Sequence, residues 1–204
     1  MAKINEDLAL SATDIIDLGL LKNHVHMITG VVDEMTMDAA IRWILYENLD
    51  TTKDKVLTLY INSMGGSLTD AFALIDVMRT SNYPIQTIGI GNVMSAAFMI
   101  FAAGTNGHRH IAKNASILCH QFSEDVEGKF HDIKAMMRES ENINSHMVDL
   151  LQECTGLSPR VIKTKLLPPS DVWLSVEELV RRTDLEEETI VEVHSILNAE
   201  FEDE

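Results

Sequence analysis

Short apolar runs and one-sided amphipathic stretches alternate along most of the chain. HVHMITGVV, from His24 to Val32, reads as a strand. TMDAAIRWILYENL follows it with Ala40, Ile41, Ile44 and Leu45 spaced along one helix face. VLTLYIN (Val56–Asn62) is a second apolar run and leads straight into SMGGS, after which Thr69–Thr80 places Ala73, Leu74, Val77 and Met78 on one side of a helix. IQTIGIG from Ile85 reads as a third strand, GNVMSAAFMIFAAG (Gly91–Gly104) as a helix built for a core, and SILCHQF as a fourth strand. Strand, turn, helix, repeated in this way, predicts an α/β fold with parallel crossover units. Ligands of such sheets gather at the carboxyl ends of the strands, where SMGGS and GNVMS both lie.

The texture changes after Gly128. KFHDIKAMMRESENINSHMVDLLQECTG reads as one long helix with charged faces, stopped by Gly156, and too long to bury itself in a small domain. Helix, loop and helix complete the pattern, with Pro168 and Pro169 fixing the loop. A chain of 204 residues, 46% hydrophobic, suits one domain with a single sizeable core. The formal net charge of −16 argues against nucleic acid or an anionic membrane as a partner. Two cysteines, Cys119 and Cys154, are too few for a disulfide scaffold and read as buried reduced thiols. MAKINEDLAL has no basic head followed by an apolar run, and the longest apolar stretch, Val93–Gly104, falls short of the ~20 residues of a membrane span. The expectation is a cytoplasmic protein.

Gly66, Ser95, His120 and Asp171, far apart in sequence, could act together. Gly65 and Gly66 give a turn whose exposed amides can face an anion, although a tight strand-to-helix connection needs the same glycines. No lysine follows them, so the turn is not a phosphate-binding P-loop. Ser95 near the front of an apolar helix is either a helix-start residue or a nucleophile with the Ala96 amide beside it. His120 ends an apolar strand, and Asp171 precedes VWLS. Each has an ordinary structural reading; together they supply an oxyanion donor, a nucleophile, a base and an orienting acid. His108 and His110 lack a third ligand for a metal and read as surface residues on a turn.

At these positions the chain resembles the Clp protease proteolytic-subunit family, ClpP, from about Asp14 to about Leu179. LYINSMGGSLTDAFALIDVMR is similar to the family's YINSPGG segment and following helix. IGIGNVMSAAFMIFAAGTNGHRHIAKNASILCHQF resembles its nucleophile-to-histidine block, and DVWLSVEEL its DxxLS stretch. The resemblance implies a crotonase/ClpP-like α/β fold with a protruding helical handle. It divides the chain into an axial segment (1–13), a head (14–128 and 156–193), a handle (129–155) and an acidic tail (194–204). It implies Ser95 as nucleophile, His120 as base, Asp171 as its orienting partner, and the Gly66 and Ala96 amides as oxyanion hole. Extended substrate would lie against Gly65, Gly66, Ser67 and Leu68 on one side and Gln121, Phe122, Ser123, Glu124 and Asp125 on the other. No metal or other cofactor is implied. Heptameric rings stacked as a tetradecamer would receive unfolded polypeptide from an AAA+ unfoldase, such as a ClpX-, ClpA- or ClpC-type ATPase. Met64 and Phe122 stand where the family pattern has proline, and Ala96 where it commonly has methionine. Two other readings are a ring subunit with little activity of its own, and crotonase-like acyl-CoA chemistry, which needs no Ser–His–Asp set.

Overall fold

A computed structural model describes residues 11–50 and 54–183. The expected tail and nearly all of the expected axial segment lie outside the described residues. The strands are β1 (Val25–Val32), β2 (Leu57–Gly66), β3 (Ile85–Met94), β4 (Arg109–Ile111), β5 (Ser116–Cys119) and β6 (Val172–Leu174). The helices are α1 (Ala12–Lys22), α2 (Glu34–Glu47), α3 (Leu68–Thr80), α4 (Ala96–Ala102), α5 (Phe130–Thr155), α6 (Pro159–Lys165) and α7 (Val176–Thr183).

The strands form one sheet in the order β1-β2-β3-β5-β6, with β4 also paired to β3. Every pairing is parallel except β5 with β6. Leu57, Leu59, Ile61, Ile85, Ile88 and Val93 are buried, as central parallel strands covered on both faces require. Helices begin where the sequence offers caps: the Asp33 carboxylate accepts from the Thr36 amide, and the Ser67 and Ser158 hydroxyls from the Asp70 and Val161 amides.

Helix α4 is the most enclosed element, with all seven residues buried. It contacts β2, β3, β5, α3 and α5, which explains a helix that is apolar all round. Phe98, Met99, Ile100 and Phe101 are each at most 2% exposed, and burying side chains of that size contributes about 1.5–3 kcal/mol apiece. Arg109 closes the far end of α4: its Nη1 donates to the Ala102 carbonyl (3.2 Å) and to the Cys154 carbonyl near the end of α5 (2.6 Å).

Two expectations are corrected here. The run Gly91–Gly104 is not one helix, because β3 continues through Met94 and the helix begins only at Ala96. His110 is not on an exposed turn; it lies in β4 opposite Ile88, half-buried, with Nδ1 unpartnered. Burial, reinforced by His108, lowers its pKa. Cys119 is buried, whereas Cys154 is only partly so, and neither forms a disulfide. Helix α5, at 26 residues, spans about 39 Å, and its buried residues (Ile143, Met147, Val148, Leu150 and Leu151) all lie in the C-terminal half.

Candidate active site

Ser95 occupies the junction between β3 and α4. Its backbone stands at φ 53° and ψ −124°, a region that non-glycine residues seldom enter and that costs about 1–3 kcal/mol. The strain is held in place on both sides. The Ser95 amide donates to the Leu118 carbonyl on β5 (2.9 Å), and its own carbonyl accepts from Phe98 (3.0 Å) in the buried helix. The hydroxyl makes no capping bond, which leaves it for another partner.

That partner is His120, one residue past the end of β5, whose Nε2 lies 2.8 Å from Ser95 Oγ. Because β3 and β5 are neighbours in parallel register (Met94 opposite Leu118), the chain delivers serine and histidine to the same sheet edge. The other ring nitrogen, Nδ1, lies 2.5 Å from the Gln121 carbonyl oxygen. A carbonyl can only accept, so in the neutral ring Nδ1 carries the proton. Nε2 therefore offers a lone pair to the serine O–H, the arrangement a general base needs.

Asp171 does not make that Nδ1 contact. It is exposed, immediately before β6. The antiparallel register runs Ile117 opposite Leu174, Leu118 opposite Trp173 and Cys119 opposite Val172. One further step sets His120 across from Asp171. The register thus sets the two residues opposite each other just past the paired positions, while the Gln121 carbonyl holds the ring nitrogen that the carboxylate was expected to hold.

The glycine turn packs directly against the serine. A Cβ on Gly65 would come within 2.6 Å of Ser95 Cβ and 3.0 Å of the Ala96 nitrogen, and φ is +96°. On Gly66, at φ +150°, it would meet the Val32 carbonyl oxygen at 2.2 Å. Only glycine permits both approaches. Ala96 opens α4, so its amide has no acceptor within the helix. The turn and the helix start are therefore adjacent, with the serine between them.

The expected substrate-contact residues divide. Gly65 and Gly66 end β2, and Ser67 caps α3, with Oγ 3.0 Å from Thr69 Oγ1. Leu68 is 6% exposed and belongs to the core, so its side chain is no groove wall. Residues 122–125 form no strand, a correction to the expected extended edge. Sheet pairing stops at Cys119, and the Phe122 amide donates to Asn144 Oδ1 on α5 (3.0 Å) instead of to a neighbouring strand. Gln121 Nε2 donates to the Leu167 carbonyl (2.9 Å), and Glu124 Oε2 accepts from Ser140 of α5 (3.2 Å). Ser123, Glu124 and Asp125 are exposed. Neither the Asn144 contact nor the buried hydroxyl of Ser63 is legible in the sequence: Ser63 opens SMGGS, but nothing in its letter marks a bulge. Among the described residues no group of three or more His, Cys, Asp or Glu is placed to hold a metal ion, and no helix is long and apolar enough to cross a membrane.

The Clp protease family model matches residues 6–182. The chain belongs to the Clp protease family. It is 35% identical over 136 residues to the ATP-dependent Clp protease proteolytic subunit 2 of Corynebacterium jeikeium, which is 66% of this chain and 64% of that relative. It is 36% identical over 135 residues to the proteins of the same name from Mycobacterium tuberculosis and Mycobacterium bovis, covering 65% of this chain and 62% of theirs. The matched stretch thus spans less than two thirds of these relatives' own length. The mostly parallel sheet and the seven helices among the described residues are those of a Clp protease fold.

Proposed function

We propose that this Clp protease family member is a serine endopeptidase subunit that hydrolyses peptide bonds of unfolded polypeptides through an acyl-enzyme. The observation that carries the reading is the 2.8 Å contact between Ser95 Oγ and His120 Nε2 at a strained strand-to-helix junction. Strain at a single non-glycine residue persists only where the surroundings enforce it, and such residues cluster at reacting centres. His120 takes the Ser95 proton as Oγ attacks the scissile carbonyl, then returns it to the leaving amine; water repeats the sequence to release the acyl group. The Gly66 and Ala96 amides receive the oxyanion, each such donor contributing on the order of 10²–10³ in rate.

In the working state Asp171 replaces the Gln121 carbonyl at Nδ1. Both acceptors select the same tautomer, but only the carboxylate carries a charge to balance the imidazolium that forms. Apolar side chains left exposed on α1 (Ile15, Ile16, Leu18) and on the outer half of α5 (Phe130, Met137) suit contacts with further copies in heptameric rings, paired as a tetradecamer. A closed chamber fits a site that reads backbone instead of side chains. It also calls for an AAA+ unfoldase to deliver substrate. The setting is the cytoplasm, and the peptidase chemistry itself uses no cofactor.

A second reading, a ring subunit with little activity of its own, draws on the Gln121 carbonyl standing where the carboxylate is needed. One preparation separates the two. A fluorophosphonate probe should label Ser95 in assembled protein, native mass should report the subunit number, and Ser95→Ala should abolish cleavage of a fluorogenic peptide with assembly intact. Unchanged turnover in Ser95→Ala would end the nucleophile assignment; absence of labelling would favour the second reading.

A further inference from the structure

Ser63 is 2% exposed and lies outside the reacting groups, yet its hydroxyl both donates and accepts. Oγ donates to the Gly30 carbonyl on β1 at 2.6 Å and accepts from the Gly65 amide at 3.0 Å. One proton and two lone pairs make both bonds possible at once. The position is a bulge: along β1 the pairing passes from Gly30 opposite Ser63 to Val31 opposite Gly65, leaving Met64 unpaired. Along β3 it passes from Ile61 opposite Gly89 to Ser63 opposite Val93. The bulge breaks the ladder where the chain must turn toward Ser95, and the hydroxyl restores a bond there.

Close approach to Ser95 demands Gly65, close approach to the Val32 carbonyl demands Gly66, and two consecutive glycines leave the turn conformationally underdetermined. Two anchors compensate. The Ser67 amide donates to the Val32 carbonyl at 2.8 Å on the far side of the turn, and Ser63 Oγ holds the near side. We propose that Ser63 is a positioning residue for the oxyanion donors. By fixing the peptide plane entering Gly65, it aims the Gly66 amide and keeps Gly65 seated against Ser95 and Ala96. The inference rests on the peptidase reading above.

The test uses the assembled protein with Ser63→Ala, Ser63→Thr and Ser63→Cys. Removing the hydroxyl in Ser63→Ala lowers kcat by about 10- to 100-fold, less than outright loss of a donor, with KM within twofold. Affinity for a peptide aldehyde, whose adduct with the serine presents the same oxyanion, falls by a matching factor. Ser63→Thr restores both, because it keeps donor and acceptor. Should Ser63→Ala fail to fold, Ser63→Cys decides: a weak thiol donor of similar volume gives an intermediate kcat and aldehyde affinity. Wild-type kcat in a folded Ser63→Ala or Ser63→Cys overturns the inference, as does a kcat loss with aldehyde affinity unmoved. Probe labelling of Ser95 in the unaltered chain keeps this separate from failure of the peptidase reading, which would overturn both.

Discussion

Gly65→Ala adds one methyl group at the closest approach between the turn and the serine. The new Cβ would lie 2.6 Å from Ser95 Cβ, 2.7 Å from the Met94 carbonyl oxygen and 3.0 Å from the Ala96 nitrogen. Ordinary contact begins near 3.4 Å, so something must yield by roughly 0.8 Å. Two of the three obstacles are backbone, and α4 behind them is wholly buried, so the turn and Ser95 share the displacement. Overpacking of this kind costs about 1–3 kcal/mol, and alanine at φ +96° adds about 1–2 kcal/mol. For catalysis, a misplacement approaching 1 Å costs on the order of 100-fold. Gly107→Ala is the control: φ is +81°, with no atom within 4 Å of an added Cβ. It carries the backbone strain without the collision. The expected outcome is a kcat/KM on a fluorogenic peptide about 100-fold down for Gly65→Ala and unchanged for Gly107→Ala. Both lower the thermal midpoint, by about 2–4 °C per kcal/mol for a chain of this size. Turnover within threefold of the unaltered chain in Gly65→Ala would refute the idea that this turn bears on the serine.

Two further outcomes are expected. Asp171→Asn should lower kcat by on the order of 10³-fold or more if the carboxylate holds His120 in the working state; a loss below tenfold would identify the Gln121 carbonyl as the working acceptor. His26, stacked on Trp43 at 5.3 Å, has its pKa lowered by burial, with Asp17 opposing. The unfolded chain therefore binds more protons as pH falls through about 6.5, so this stability is complete above that value and declines below it. Thermal midpoints at pH 7.5 and 5.5 should differ less in His26→Gln than in the unaltered chain; an equal difference would exclude His26 as a source.

Sequence reading reached the central strands and their helices because long apolar runs and one-sided periodicity survive without tertiary context. It missed α1, none of whose residues is buried in this chain, and it did not resolve β4 or β6, three residues each, too short to show a period. Treating Gly91–Gly104 as one helix had a definite cause: β3 ends on buried Val93 and Met94 and α4 is buried throughout, so no change of periodicity marks the boundary at Ser95. The same enclosure hid the strain at Ser95. Ser95 and His120 were legible as chemistry at strand ends. The Gln121 carbonyl was not, since a backbone acceptor has no letter of its own. The Phe122 tether to Asn144 joins residues 22 apart and follows only from where α5 crosses the loop.

The enclosure of α4 has a mechanical consequence. The alcohol is fixed to the most enclosed helix, and a shift of that helix would have to repack Phe98 and its neighbours. The imidazole hangs on the irregular stretch between β5 and α5, held by bonds from Gln121 and Phe122 to separate elements. Control over turnover is then more easily exerted on the base than on the nucleophile, and α5 and the Leu167 loop are the levers that reach it.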